Sequence, residues 1–170
     1  MLSGSAMIPY DFRQQLSIGQ EGERRVADWL VSLGRTVRYA TRDEQRMGID
    51  FHVSALDGEH FEAVEVKRCN IGHRTGNAHL ELIQVDETCG PGWITTCQAD
   101  WIAYLLWETG RLYWLRPPAI RAAISLDWKN RAGHDIRVVW TPNADGYRTG
   151  GWLIPLVEWA QCAEHVVTVP

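Results

Sequence analysis

The sequence has 170 residues, of which 45% are hydrophobic and 22% charged, so it can bury the core of one globular domain and is short for two. No apolar run approaches the about 18 residues of a membrane-spanning helix. The opening MLSGSAMIPYDF lacks the pattern of a secretory signal, so we expect a cytoplasmic protein without membrane contact. The formal net charge of −4 gives no general attraction to DNA, so a nucleic-acid site would have to be local.

The first predicted element is an amphipathic helix over residues 11 to 33, in which apolar side chains recur at helical spacing. Ser17 and Gln20 form the pattern of a capping box. Glu23 falls on the same stripe as Val26, the stripe that should face the core. Such an acid is either solvated in the first turn, where the helix dipole favours it, or points over a sheet towards a partner.

A strand is predicted at residues 36 to 40, followed by a β-hairpin with strands at 49 to 56 and 59 to 67. The hairpin is predicted by Asp57-Gly58, because both residues tolerate the positive φ of a type I′ turn. A two-residue loop places Asp50 opposite Glu65. Side chains alternate along a strand, so the hairpin has two faces. The predicted core face carries Ile49, Phe51, Val53, Ala55, Val64 and Val66. The other face carries Asp50, His52, Ser54, Glu65 and Lys67.

Two carboxylates at opposed strand positions repel one another, and something must offset that repulsion. A raised pKa on one acid, the ammonium of Lys67, or a bound divalent cation would each do so. Hard oxygen ligands suit Mg²⁺ or Mn²⁺. The alternative is an ordinary surface hairpin on which Asp50, Glu65 and Lys67 form solvated ion pairs.

The ordered set Gly22-Glu23, Arg46-Met47-Gly48-Ile49-Asp50 and Glu65-Val66-Lys67 resembles the PD-(D/E)xK nucleases. The branch concerned includes Holliday-junction resolvase-like and many phage or mobile-element endonucleases. The resemblance covers about residues 17 to 70, and Ile49 stands where the family pattern has proline. It implies a single-domain α/β fold of the restriction-endonuclease-like kind. The α-β-β-β core would span residues 11 to 126, with a C-terminal strand-rich extension over 127 to 170.

The resemblance also implies a metal-dependent phosphodiesterase that acts on DNA, and a homodimer if two strands are cut. Asp50, Glu65 and the backbone carbonyl of Val66 would bind Mg²⁺ or Mn²⁺, and Glu23 would complete the site. Lys67 would position or help deprotonate the attacking water. The implied catalytic residues are therefore Glu23, Asp50, Glu65 and Lys67.

Basic residues border the predicted site on both sides in the sequence. We predict that they contact DNA phosphates, with a salt-sensitive contribution to affinity. The alternative is that they only solubilise the surface. They are Arg42, Arg46, Arg68, His73 and Arg74.

Beyond the hairpin, the polar and glycine-rich residues 70 to 78 predict a mobile loop at the mouth of the site. Glu81 and Gln84 fall on opposite faces of the next predicted strand, so the pattern does not decide which one faces the site. Most of the nine tryptophans are expected in the core. The remaining predicted elements are a strand at 79 to 85, a turn at 90 to 93, a second hairpin at 100 to 107 and 111 to 115, a helix at 117 to 126, irregular chain at 127 to 148, and a strand and short helix over 150 to 160.

Two functions fit these observations. One is a Mg²⁺-dependent endonuclease acting on DNA, including branched or structured DNA as resolvase-like relatives do. The other is a non-catalytic binding or regulatory protein with a nuclease-like fold, such as a phage-encoded protein that engages a host complex. Four ionisable groups in register favour the enzyme, and the net negative charge favours the binding protein.

Overall fold

A computed structural model of the chain describes residues 12–85, 90–125, 137–142 and 148–170. Within these ranges the protein is mixed α/β, which confirms the predicted class, and no helix in them is long and apolar enough to cross a membrane. The elements in chain order are α1 (Phe12–Ser32), β1 (Val37–Tyr39), α2 (Arg42–Arg46), β2 (Phe51–Ser54), β3 (Phe61–Cys69), α3 (Gly72–Thr75), β4 (Asn77–Val85), β5 (Gly90–Pro91), α4 (Trp93–Thr96), β6 (Trp101–Leu106), β7 (Arg111–Leu115), α5 (Pro117–Ser125), β8 (Arg137–Pro142), β9 (Arg148–Pro155), α6 (Leu156–Cys162) and β10 (Ala163–Thr168).

The strands form two sheets. The main sheet has six strands in the order β1-β2-β3-β6-β7-β10, with a parallel pair, β3 and β6, among antiparallel neighbours. The second sheet has four antiparallel strands in the order β5-β4-β9-β8. The chain between β3 and β6 contributes β4 and β5 to the second sheet, so the crossover that joins the parallel pair also carries the second layer.

The predicted N-terminal helix is confirmed as α1, and its apolar stripe packs on one face of the main sheet. Val26 and Leu30 are buried there against Phe51 and Val64. The predicted capping box at Ser17 is wrong, because Ser17 lies inside α1. The first core therefore lies between α1 and the sheet.

The capping box of this region lies instead at the start of α2. The Thr41 side chain accepts the backbone N–H of Glu44 at 3.4 Å, and the Glu44 carboxylate accepts the backbone N–H of Thr41 at 2.7 Å. This reciprocal bonding satisfies two helix-end donors and fixes the chain that leads towards Asp50.

The first hairpin has the predicted register but a different turn. Phe51 pairs with Val64, as predicted, while β2 ends at Ser54 and β3 begins at Phe61. The Gly58 N–H donates to the Ala55 carbonyl at 3.0 Å, and Gly58 has a φ of 72°, so a longer loop replaces the predicted two-residue turn. The longer loop takes two residues from each predicted strand, so the predicted residue pairing is unchanged.

Both faces of the main sheet are buried, which the sequence pattern did not predict. A second core joins the sheet face opposite α1 to the second sheet and to α4, α5 and α6. Ile49 belongs to this second core and not to the α1 side with Phe51, so its predicted face is wrong. Ala63 and Cys69 of β3 lie in the same core. The predicted polar face of the hairpin is therefore covered.

Several later predictions are confirmed by the structure, and others are corrected. The second hairpin is formed by β6 and β7, and Trp101 and Trp114 are buried, as expected for core tryptophans. Residues 70 to 78, predicted as a loop, contain α3 and the start of β4. Part of the predicted irregular chain over 127 to 148 is β8, and 126–136 and 143–147 lie outside the described residues. The edge strand β10 was not predicted.

Candidate active site

Three segments bring the predicted catalytic residues into one electrostatically coupled group. Glu65 and Lys67 lie on the β3 face that meets the second core, Asp50 directly precedes β2, and Glu23 projects from α1. Glu65 is 6% exposed and is the one charged residue in the described ranges that is buried to this degree. Burying a charge is costly unless it is paired, so this position calls for a partner.

Asp50 is fixed to the backbone of β3. Its N–H donates to the Val64 carbonyl at 2.8 Å, and its Oδ2 accepts the Val66 N–H at 2.6 Å. The Asp50 carboxylate thus accepts a backbone N–H of β3 just before the first residue pair of β2 and β3. This bond holds the carboxylate beside β3. Val66 itself points its side chain into the α1 core.

Lys67 forms an ion pair with Glu65. Its Nζ also lies 5.3 Å from the ring centroid of Trp93, the first residue of α4, in cation–π geometry. The side chain of Lys67 remains 29% exposed, against 8% for that of Glu65. The ammonium thus stands between the buried acid and solvent.

The pKa values of the group show that negative charge exceeds positive charge. Burial, followed by the charges of Glu65 and Glu23, raises the pKa of Asp50 to about 8. Burial and then Glu65 also raise the pKa of Glu23, and Lys67 opposes this. Burial alone would lower the pKa of Lys67, but Glu65, Asp50 and Glu81 together raise it. One amine therefore serves several acids.

Glu81 of β4 is a site acid whose direction the sequence pattern left open. Burial raises its pKa, while the charge of Lys67 and a hydrogen bond from the Trp93 N–H lower it. The register between β4 and β9 shifts between Glu81 and Ile83. Such a bulge breaks strict alternation and re-aims side chains, so periodicity could not have placed Glu81.

The donor chemistry of the group fits a hard divalent cation. Mg²⁺ characteristically takes one or two carboxylates and keeps several waters, and Asp50 and Glu65 supply two carboxylates in a region short of positive charge. Within the described part of the chain, no three His, Cys, Asp or Glu side chains are grouped closely enough to hold a metal ion. Glu65 is paired with Lys67, and Asp50 accepts the Val66 N–H, so both carboxylates have partners within the protein.

Arg68, predicted to contact DNA, is used mainly inside the protein. Its guanidinium donates to Glu21 at 2.8 Å and to the Ile18 carbonyl at 3.1 Å, and it lies 3.5 Å from the centroid of the Trp107 ring. The side chain is only 10% exposed. It fastens α1 to β3, which leaves it few free donors for a phosphate.

The other predicted phosphate contacts lie nearer the surface. Arg42 and Arg46 are exposed on α2, where Arg46 pairs with Asp43 at 2.8 Å in a solvated ion pair. His73 and the exposed Arg74 line a cleft of about 470 Å³ beside α3. These positions leave Arg42, Arg46 and Arg74 accessible to a polyanion.

His52 does not join the acid group. Its Nε2 lies 2.9 Å from Oε1 of Glu44, which ties β2 to α2.

The approach to Glu23 is a polar cleft of about 460 Å³ between α1 and α2. Its lining includes Gln20, Arg24 and Tyr39. This cleft gives solvent and ligands a route to Glu23.

Comparison of the chain with protein-family models, with curated proteins and with solved structures found no match.

Proposed function

We propose that this protein is a divalent-metal-dependent endonuclease with a restriction-endonuclease-like core, which hydrolyses phosphodiester bonds in DNA. The observation that carries the proposal is the coupling of acids from α1, the start of β2 and β3 around one lysine. Burial, followed by the charges of Glu65 and Glu23, raises the pKa of Asp50 to about 8 in this group. Perturbed carboxylates with a single amine in a partly open site are typical of catalytic centres.

In this proposal Asp50 and Glu65 bind Mg²⁺ or Mn²⁺, with the Val66 carbonyl and Glu23 as further ligands. A metal ion bound there supplies a Lewis acid that activates water and neutralises charge on the phosphoryl oxygens. Lys67 holds the attacking water and stabilises the negative charge that develops on phosphorus-bound oxygen. Glu23 orients the amine from the α1 side.

The phosphate chemistry is favoured by the single amine and by the basic side chains near the site. Arg42, Arg46 and Arg74 supply exposed positive charge on segments that adjoin Asp50 and Lys67 in sequence. Arginine and lysine contacts to phosphates position a duplex without reading its sequence. Branched or structured DNA is the substrate class that the family resemblance implies, and cutting two strands would require a homodimer.

The direct test is cleavage of supercoiled plasmid and of a four-way junction with Mg²⁺ or Mn²⁺. We expect nicking or cutting by the wild type, and loss of at least about 100-fold in rate for Lys67→Ala and Asp50→Asn, because each removes a group that acts on the reacting atoms. The matched control is Glu59→Gln on the exposed hairpin tip, which should cleave at the wild-type rate. Undiminished cleavage by Asp50→Asn would exclude the site as assigned.

The non-catalytic binding protein remains the second candidate, supported by the net charge of −4 and by the engagement of both Asp50 and Glu65 within the chain. Thermal melting with saturating Mn²⁺ separates the two. The enzyme should be stabilised by the metal, since a ligand that binds only the folded state raises the melting temperature. No shift, together with no cleavage, would favour the binding protein.

A further inference from the structure

We infer that Glu81 is a positioning residue, which receives the ammonium of Lys67 when a divalent cation binds Glu65. The inference rests on the proposed function, because it supposes a metal ion at Asp50 and Glu65. It adds a second carboxylate partner for Lys67 and a movement of that side chain from one acid to the other.

Lys67 and a bound metal ion would compete for Glu65. Lys67 is paired with Glu65, and a metal ion needs the same carboxylate oxygens. A partly buried ammonium that loses its partner carries a large desolvation cost. The metal ion can therefore displace Lys67 at a small cost in free energy only if another acceptor is within reach of the ammonium.

Glu81 is held where it can serve as that acceptor. Its carboxylate accepts the N–H of Trp93, and the Nζ of Lys67 lies 5.3 Å from the centroid of the ring of the same Trp93. Trp93 thus contacts both partners. The charges of Glu81 and Lys67 also act on one another.

The start of α4 packs closely against the backbone of β4. A Cβ at Gly92 would lie 2.3 Å from the carbonyl oxygen of Glu81, so no side chain fits there. The Gly92 N–H donates to the Leu82 carbonyl at 2.8 Å. This backbone contact sets the Trp93 N–H against Glu81 and fixes the carboxylate before Lys67 arrives.

Metal binding in the absence of DNA tests the inference. Mn²⁺ is titrated by calorimetry into the wild type, Glu81→Gln, Lys67→Ala and the double variant. We expect Glu81→Gln to raise the Mn²⁺ dissociation constant about tenfold, the scale found when an outer-shell partner is removed. In the Lys67→Ala background the same substitution should change it less than about twofold, because no ammonium is left to relocate.

A conservative variant and an exposed control complete the design. Glu81→Asp keeps a carboxylate and should recover part of the lost affinity, while Glu59→Gln on the exposed hairpin tip should leave it unchanged. Thermal melting without metal verifies that each variant is folded.

The outcomes are distinct. Equal loss in both backgrounds would make Glu81 a metal ligand or a general source of negative potential, and would overturn the positioning role. Unchanged affinity in Glu81→Gln would also overturn it. If the wild type itself binds no Mn²⁺, the proposed metal-dependent function fails first, and the inference fails with it.

Discussion

The surroundings of Asp50 disfavour its ionised form. Its carboxyl is partly buried and lies near Glu65 and Glu23, and these causes in that order raise its pKa to about 8. An ordinary aspartic acid in an unfolded chain has a pKa of about 4. The folded protein therefore holds a proton on Asp50 over a pH range in which the unfolded chain has released it.

This difference predicts a pH-dependent stability without metal. Below about pH 4 the residue is protonated in both states, and its full contribution to stability is present. As pH rises towards about 8 the unfolded chain has lost the proton that the folded chain retains, so stability falls. We expect Asp50→Asn to be more stable than the wild type at pH 8, by on the order of 1 to 3 kcal/mol, with the difference vanishing near pH 4.

Urea denaturation in EDTA across this pH range measures the effect. Asp43→Asn is the control, because Asp43 is exposed and its substitution should leave the pH profile of stability unchanged. A constant difference between Asp50→Asn and the wild type at every pH would show that the effect is one of packing and not of titration.

At the scale of elements, α1 must approach β3 closely to deliver Glu23. A Cβ at Gly22 would lie 3.1 Å from Cβ of Arg68, whereas a Cβ at Gly19 would meet only Oε1 of Glu23, at 3.9 Å. The two glycines lie in the same helix, so their intrinsic preference for helix is equal. They differ in what stands opposite them.

Alanine substitutions at these two positions form a matched pair. Gly19→Ala should raise the free energy of unfolding by about 0.5 to 1 kcal/mol, the usual gain of alanine over glycine inside a helix. Gly22→Ala should lack this gain and should slow DNA cleavage, because α1 is pushed away from β3 and Glu23 moves with it. Chemical denaturation and cleavage rates measure both effects. Equal stabilisation by both substitutions, with unchanged cleavage, would contradict a tight α1–β3 contact.

The elements that the sequence predicted well are those set by local pattern. α1 follows from helical spacing, and the pairing of Phe51 with Val64 follows from a loop centred on Asp57-Gly58, although that loop is longer than predicted. The second sheet could not be predicted in this way, because β4 pairs with β9, a segment far along the chain. The face of Ile49 was predicted wrongly, because it depends on packing against that second sheet. The direction of Glu81 was left open, because it depends on the bulge in β4.

At the scale of the whole molecule, the C-terminal segment closes onto the N-terminal helix. Arg25 of α1 donates to the carbonyl of Trp107 at 2.6 Å and to that of Pro170 at 2.8 Å. Its guanidinium lies 4.8 Å from the centroid of the Trp107 ring. Val169 is 1% exposed and donates its N–H to Gly110. The end of the predicted C-terminal extension, β10 and Val169, is thus part of the main sheet and its core.

Arg25→Ala should therefore destabilise the protein by about 2 kcal/mol, since it removes several hydrogen bonds from a charged donor to backbone carbonyls. The neighbouring Arg24 is exposed, and Arg24→Ala should change stability by less than about 0.5 kcal/mol. Guanidinium denaturation compares the two variants. Similar small effects for both would mean that the C-terminal contact adds little to the fold.

The charge of the whole molecule predicts that DNA binding depends on a divalent cation. The net charge is −4, and the acids of the site add local repulsion to an approaching phosphate. With Ca²⁺, which occupies carboxylate sites, we expect the dissociation constant for a labelled four-way junction to fall about tenfold or more relative to EDTA. Above about pH 8, where the Asp50 carboxyl is ionised in the folded protein, Asp50→Asn should bind better than the wild type in EDTA, because one negative charge is gone. Replacing exposed Arg42 by alanine should weaken binding and reduce the slope of log affinity against log salt by about one, as expected for a phosphate contact. Fluorescence anisotropy measures all three, and tight, Ca²⁺-independent binding by the wild type would contradict a site whose acids must be neutralised before DNA can approach.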